Sequence, residues 1–236
     1  MGTTAPPAAS FWSRLTVTER GELHQVGTRT RFEADQPLLS QGDRSRHLVV
    51  LLAGSVKATK SVGTGPEQVL ALCGPGSVVG EVAALTGAPR SATITALERG
   101  EALIVSAEEY AGVARRHPGL RHELERALAH RLIQADERRS RTALPSTLPR
   151  LAALLADLAD QFADAGAPAV VPITQFDLAS LAGSSRSSTA RALRRLKAMN
   201  LVRTGRGTIT VADSAALRDL AGLPAARTGP EHRRLG

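Results

Sequence analysis

Glu81, Arg90 and Ser91 stand within one short stretch, GEVAALTGAPRSAT, running from Gly80 to Thr93. An ionised glutamate only accepts hydrogen bonds, so it suits a ligand that offers hydroxyl donors, such as a ribose. Arginine is a permanently charged planar donor and suits a phosphate. Ser91 adds a hydroxyl donor, and backbone N–H groups of the loop can complete an anion nest. Together these residues describe a sugar-phosphate site. An Arg90–Glu81 ion pair that tightens a barrel loop explains the same residue types, and spacing alone does not separate the two.

A second set of residues lies in TQFDLASLAGSSRSSTARALRRLKAMNLV. Thr174 can cap a first helix whose Leu178, Ala179 and Leu181 face a core. Gly183 falls where the chain must turn sharply, and Ser184 or Ser185 can cap a second helix. Ala190, Leu193 and Leu196 form the inner face of that second helix. Arg186, Ser187, Ser188 and Arg191 fall on its exposed N-terminal face, the part that enters a major groove in helix-turn-helix proteins. From Gly183 to Thr210 there are seven basic residues and no acid. The hairpin VRTGRGTITV follows, with Gly205 and Gly207 in its turn, as a wing. A solvated basic face would also carry these arginines, and capping alone would explain the serines.

The elements that must position these residues change character near residue 117. Before it come short runs rich in Val, Ile, Leu or Thr, broken by Gly, Pro or Asp: RTRF, QPLLSQGD, HLVVLLAGSVKATK, EQVLALCGPGSVVGE, SATITAL and EALIVS. That spacing predicts an antiparallel β jelly-roll barrel. A small helix precedes it, opened by the capping box of Thr16 and Glu19. After Pro118, Leu120, Leu124, Ala127, Leu128, Leu132 and Ala135 recur at helical steps. They predict one helix from about Gly119 to Thr142, able to pack on its own barrel or to pair as a two-stranded coiled coil. A parallel two-fold pair would use Leu120, Leu124, Leu128, Leu132 and Ala135. Pro145 and Pro149 interrupt the pattern. A further helix follows from Leu148 to Gly166, then a short strand, AVVPI.

The expected class is therefore α+β. The expected parts are a disordered tail (1–10), a jelly roll (11–117), a dimerisation helix and hinge (118–145), a winged helix-turn-helix domain (146–223) and a second disordered tail (224–236).

Composition narrows the chemistry. The chain has 236 residues and a formal net charge of +8, which favours nucleic acid or an anionic surface as partner. A single cysteine, Cys73, excludes an intramolecular disulfide framework and an all-cysteine iron–sulfur cluster. The six histidines are scattered, without the paired spacing of a metal-binding barrel, so no metal and no barrel enzyme are expected. The opening MGTTAPPAAS lacks the basic and apolar regions of a signal peptide. No apolar run reaches the ~20 residues of a membrane span, and a reduced, cytoplasmic setting is expected.

GEVAALTGAPRSAT resembles the phosphate-binding cassette of cyclic-nucleotide-binding domains, G-E-x-A-x-L…P-R-[SA]-A. With the upstream LLAGSVK and LALCGPGSVVGE, and the downstream helix-turn-helix, residues 20 to 212 resemble a Crp/Fnr-type transcription factor. The resemblance implies a homodimer that binds a cyclic nucleotide, cAMP first, together with an inverted-repeat DNA site and RNA polymerase. It implies that Gly80, Glu81 and Val82 contact the ribose side and that Arg90, Ser91 and Ala92 hold the cyclic phosphate. Arg131 matches the family's arginine that pairs with the cassette glutamate. Where a cAMP-responsive member has Thr-Ser facing the base, this chain has Ala135-Asp136. Asp136 could accept from a base amino group or stand as a solvated helix residue. Ser187 stands where many members carry glutamate. A cyclic dinucleotide, cGMP or nucleotide-free DNA binding are the alternatives within the family.

Overall fold

Ser10 opens the first helix, α1 (Phe11–Arg14), by accepting a hydrogen bond from the Ser13 N–H, and the helix buries Phe11 and Trp12. Ser10 was expected in a disordered tail; as a helix cap it belongs to the fold instead. The computed structural model describes residues 10–63, 65, 67–142, 144, 146–163 and 167–223. The rest of both expected tails, Pro145 and the expected helix end at Gly166 lie outside the described residues. Helix α2 (Val17–Val26) starts from Thr16, and both reciprocal bonds of its capping box with Glu19 are present.

Eight strands follow: β1 (Thr28–Phe32), β2 (Pro37–Leu39), β3 (His47–Ala53), β4 (Val56–Lys60), β5 (Gln68–Cys73), β6 (Val78–Val79), then β7 (Thr93–Ala96) and β8 (Gly100–Ser106). Between β6 and β7 lies α3 (Glu81–Thr86). The strands form two four-stranded antiparallel sheets, in the orders β1-β8-β3-β6 and β2-β7-β4-β5. This is the expected jelly roll. Successive strand residues point to opposite faces, so β3 divides its apolar run between two cores. Val49 and Leu51 face the second sheet with Val56, Val79 and Ile94. Leu48 and Val50 face outward and are covered by Phe11, Trp12, Leu23 and Tyr110.

Tyr110 belongs to α4 (Ala107–Arg116), a helix absent from the sequence reading. Its signal was present, since Ser106 and Glu109 form a second capping box. Helix α5 (Pro118–Arg141) then runs close to its expected bounds. Its expected pairing seam is divided. Leu120 and Leu124 are buried inside the chain against α4 and the barrel, so they are not available to a second copy. Leu132 is 63% exposed and Ile133 56% exposed.

The C-terminal part comprises α6 (Thr147–Gln161), β9 (Ala169–Val171), α7 (Gln175–Leu181), α8 (Arg186–Ala198), β10 (Val202–Thr204), β11 (Ile209–Val211) and α9 (Ser214–Leu220). The long helix ends before Pro149, and Pro149 falls inside the next helix as expected: it sits in the first turn of α6, where the backbone N–H has no intrahelical partner to lose. Strands β10, β11 and β9 form an antiparallel sheet in that order. Asp213 caps α9, which was also missing from the sequence reading and buries Leu217 in the domain core. That core includes Val69 and Leu72 of β5 beside Leu155 of α6 and Leu196 of α8. Packing is thus continuous between the barrel and the C-terminal part.

Candidate functional site

Strand β6 ends at Gly80, whose φ of +80° allows the chain to turn into α3. A Cβ there would lie 2.7 Å from Arg90 Nη1 and 2.8 Å from Leu39 Cδ1. Glycine is therefore required both by conformation and by the close approach of Arg90.

Glu81 follows and is only 2% exposed. Its Oε1 accepts from Arg131 Nη1 at 2.5 Å, and Arg131 Nη2 donates to the Val78 carbonyl at 2.7 Å. Arg131 thereby ties α5 to the end of β6 and to the cassette. The other carboxylate oxygen, Oε2, is buried and has no hydrogen-bond partner. A buried acceptor left unpaired is costly unless something else completes it.

Arg90 is 3% exposed. Its Nη1 donates to the Gly80 carbonyl at 2.7 Å, its Nη2 to the His47 carbonyl at 2.8 Å and its Nε to Ser45 Oγ at 3.1 Å. Three of the five guanidinium N–H groups are used, and two remain. Arg90 makes no ion pair with Glu81: the loop is tightened by carbonyl contacts, and the partner of Glu81 is Arg131. Burial draws the Arg90 pKa down, with Asp43 and Glu81 opposing. The neighbouring His47 imidazole is also pushed down, first by burial and then by the charge of Arg90.

Gly80, Glu81, Val82, Arg90, Ser91 and Ala92 all line one cavity of about 910 Å³. Arg131 and Ala135 line it from α5. Asp136 does not: it is exposed and lies outside the lining, because it follows Ala135 by one residue and so turns to another face of the helix. Sequence reasoning missed the far wall, formed by Arg138, Arg139 and Thr142 of the α5 end and by Ser180, Leu181 and Gly183 of the C-terminal part. It also missed Ser45 and His47, which no local signal marks. Cys73 lines the cavity, and burial pushes its thiol pKa up, keeping it protonated.

The second set of residues lies on α8. Thr174 caps α7 by accepting from the Asp177 N–H at 3.0 Å. Gly183 turns the chain at φ +57°. Ser185, of the two candidates, caps α8 by accepting from the Ser188 N–H at 3.1 Å. Arg186, Ser187 and Arg191 are exposed and Ser188 is half-buried. The inner face is Thr189, Ala192, Leu193 and Leu196. Ala190, expected there, is only half-buried, being a position off the true stripe.

Barrel and C-terminal part are joined by directed bonds. Lys57 Nζ donates to Asp177 Oδ1 at 3.0 Å, with Asp177 nearly fully buried. The Val69 N–H on edge strand β5 donates to Ser180 Oγ at 2.9 Å, and Gln161 Nε2 donates to the Leu72 carbonyl at 2.7 Å. Among the described residues no helix is long and apolar enough to cross a membrane. Among them, too, no cluster of His, Cys, Asp and Glu could hold a metal.

A jelly roll with a carboxylate and an arginine in one cavity, followed by a basic winged helix-turn-helix, defines a ligand-binding protein that contacts nucleic acid. Known proteins narrow this class. Residues 29–117 match the cyclic nucleotide-binding domain, and residues 149–220 match the Crp-like helix-turn-helix domain. The cyclic AMP receptor protein of Thermus thermophilus is 34% identical over 193 residues, covering 82% of this chain and 88% of that protein. The CRP-like cAMP-activated global transcriptional regulator of Mycobacterium tuberculosis is 24% identical over 189 residues, covering 79% of this chain and 84% of its own. The crystal structure of Thermus thermophilus catabolite activator protein superposes with a TM-score of 0.51 at 32% identity, covering 91% of this chain and 99% of that one. The c-di-GMP responsive regulator CLP of Xanthomonas campestris shares the fold, with a TM-score of 0.69 at 21% identity over 84% of this chain and 100% of that one. The chain belongs to the Crp/Fnr family: it is a cyclic nucleotide-binding transcriptional regulator and not an enzyme.

Proposed function

We propose that this regulator works as a homodimer and takes cAMP as its effector, with the nucleotide changing its affinity for DNA. One observation carries the effector reading: Glu81, whose Oε2 is buried and unpartnered, and Arg90, which has two unused N–H groups, line the same cavity. A 3′,5′-cyclic nucleotide offers one free sugar hydroxyl as donor and one singly charged phosphate as acceptor, which matches this pair. Gly80, Glu81 and Val82 would then lie on the ribose side, and Arg90, Ser91 and Ala92 around the phosphate. Arg131 holds the carboxylate in place, and Ala135 lies at the base end. The reading in which Asp136 meets the base from within its own chain is dropped.

The second reading is a cyclic dinucleotide. It is favoured by Arg138 and Arg139, which line the same cavity, and by a volume near the upper end of the ~300–1,000 Å³ range of small-molecule pockets.

Arg186, Ser187, Ser188 and Arg191 would enter the major groove, two copies of α8 reading an inverted repeat with half-sites about one helical turn apart. RNA polymerase is the further partner that such a regulator would contact on a promoter. The expected domain limits, a jelly roll to residue 117, a helix and hinge to 145 and a DNA-binding domain to 223, organise this reading. Coupling is supported by the cavity's two walls: a ligand that fills it touches both the barrel and the α7 turn. A ligand that contacts both favours their docked arrangement over any other. The effector is therefore expected to change operator affinity by about 5- to 150-fold.

Calorimetry of the purified chain with cAMP, cGMP and cyclic di-GMP tests the effector. Tightest binding of cAMP supports the first reading, and tightest binding of the dinucleotide supports the second. Absence of binding to all three rejects both. Equal operator affinity with and without saturating nucleotide rejects the coupling.

A further inference from the structure

The first turn of α7 carries an aromatic ring that no core uses. Phe176 is 49% exposed and belongs to none of the three apolar clusters. The guanidinium carbon of Arg186, at the start of α8, stands 4.2 Å from the centroid of that ring. Arg186 makes no ion pair among the described residues, and the stretch from Gly183 to Thr210 contains no acid to hold it. The Phe176 ring is the contact that orders its head.

The chemistry of such a contact leaves the arginine free to read a base. A guanidinium over an aromatic ring is held through its face. Its N–H donors lie around the rim, in the plane, and remain free. Those rim donors are the ones that bond guanine O6 and N7 side by side. An unheld arginine loses its rotamer freedom when it engages a base edge, and a stacked one has lost part of it beforehand. The platform itself sits on a fixed backbone. The next residue, Asp177, bonds both Lys57 and Thr174, and Thr174 caps the helix.

We propose that Phe176 is a positioning residue for DNA readout: it pre-orients the Arg186 guanidinium so that its rim faces the base edges. This rests on the reading of Arg186 as a base reader. An exposed cation–π contact corresponds to about 2- to 5-fold in affinity.

The test uses the full chain, with and without cAMP, against a selected operator and a scrambled duplex of equal length. Variants are Phe176→Ala, Phe176→Trp, Arg186→Ala and the Phe176→Ala/Arg186→Ala double. Phe176→Ala should weaken operator binding by about 2- to 5-fold and leave scrambled-duplex binding and its salt dependence unchanged, since no phosphate contact is lost. In selection from a random pool it should relax preference at the same base pair as Arg186→Ala. Phe176→Trp should retain wild-type preference. In the Arg186→Ala background, removing the ring should cost nothing further.

If removing the ring costs as much in that background, Phe176 touches DNA or supports the fold directly, and the proposal is overturned. A matching thermal melt for Phe176→Ala and wild type removes the folding explanation. If Arg186→Ala relaxes one base pair and Phe176→Ala relaxes none, positioning alone fails. If Arg186→Ala leaves the selected sequence unchanged, the base-reader reading fails and the proposal fails with it.

Discussion

Replacing Glu81 by alanine separates the two roles of that carboxylate. One oxygen holds Arg131, and the other is buried with no partner of its own, on a residue that lines the ligand cavity. In the nucleotide-free chain the loss should be small. Arg131 keeps its bond to the Val78 carbonyl, and its side chain is 35% exposed, so water can solvate the freed charge. The unpaired Oε2 was itself a cost, and that cost disappears with the side chain. We expect a change within about 1 kcal/mol, or roughly 2–4 °C in Tm for a chain of this size. Nucleotide affinity should respond far more. A hydrogen bond from a sugar hydroxyl to a buried carboxylate contributes about 1.5–3 kcal/mol, which is about 10- to 150-fold in Kd.

The ligand supplies a control that the protein cannot. A 2′-deoxy cyclic nucleotide removes the donor instead of the acceptor. In the wild type, calorimetry should show it binding more weakly by a similar factor. In Glu81→Ala the native and deoxy ligands should bind nearly alike, so the double perturbation adds little to either single one. Equal losses from deoxygenation in both proteins would refute the contact between Glu81 and the sugar. So would a Glu81→Ala variant that binds the native nucleotide as the wild type does.

Four further outcomes are expected. Sedimentation should show a dimer, and Leu132→Asp, at an exposed apolar position of α5, should shift it to monomer, whereas a wild-type monomer at micromolar concentration would reject the pairing. Lys57→Met should weaken effector binding by at least about 3-fold although Lys57 does not line the cavity, because it leaves buried Asp177 short of a partner and loosens the docked arrangement; unchanged affinity in calorimetry would reject that link. His47 is held neutral by burial and by Arg90, with Asp43 opposing, so the unfolded chain takes up a proton near pH 6.5 before the folded one does. Its contribution is complete above that pH and lost as the pH falls below it, so Tm by circular dichroism should drop there and His47→Gln should reduce the drop. Ser187 is shorter than a glutamate and can both donate and accept, whereas a glutamate there would accept from a cytosine amino group, so the selected half-site should tolerate change at the base pair that Ser187 faces, and Ser187→Glu should narrow it to cytosine.

What could be read from the sequence alone follows the range of the interactions involved. The barrel was legible because its strands are short apolar runs cut by glycine. The helix-turn-helix was legible because Thr174, Gly183 and Ser185 signal within a few residues of the bonds they make. The same kind of signal lay unread at Ser106 and Glu109, before α4. The supports of Arg90 are different: Ser45 and His47 lie 45 and 43 residues upstream, and carbonyl acceptors leave no mark in residue type. Lys57 and Asp177, 120 residues apart, each looked like an ordinary surface charge. The seam of α5 shows the limit most clearly. Its leucines share one period from Leu120 to Leu132, yet the first two are covered by the chain's own barrel and Leu132 is largely exposed at the edge of the ligand cavity. Periodicity reports that a face is apolar and not what covers it. In this chain one helix uses one apolar face twice, against its own barrel at Leu120 and Leu124 and beside the ligand cavity, largely exposed, at Leu132, and Arg131 between them is the residue that also holds the cassette carboxylate. A ligand that pulls on Glu81 therefore pulls, through Arg131, at the point where the helix passes from its own barrel to the exposed Leu132, which is why ligand binding can be expected to act on a dimer.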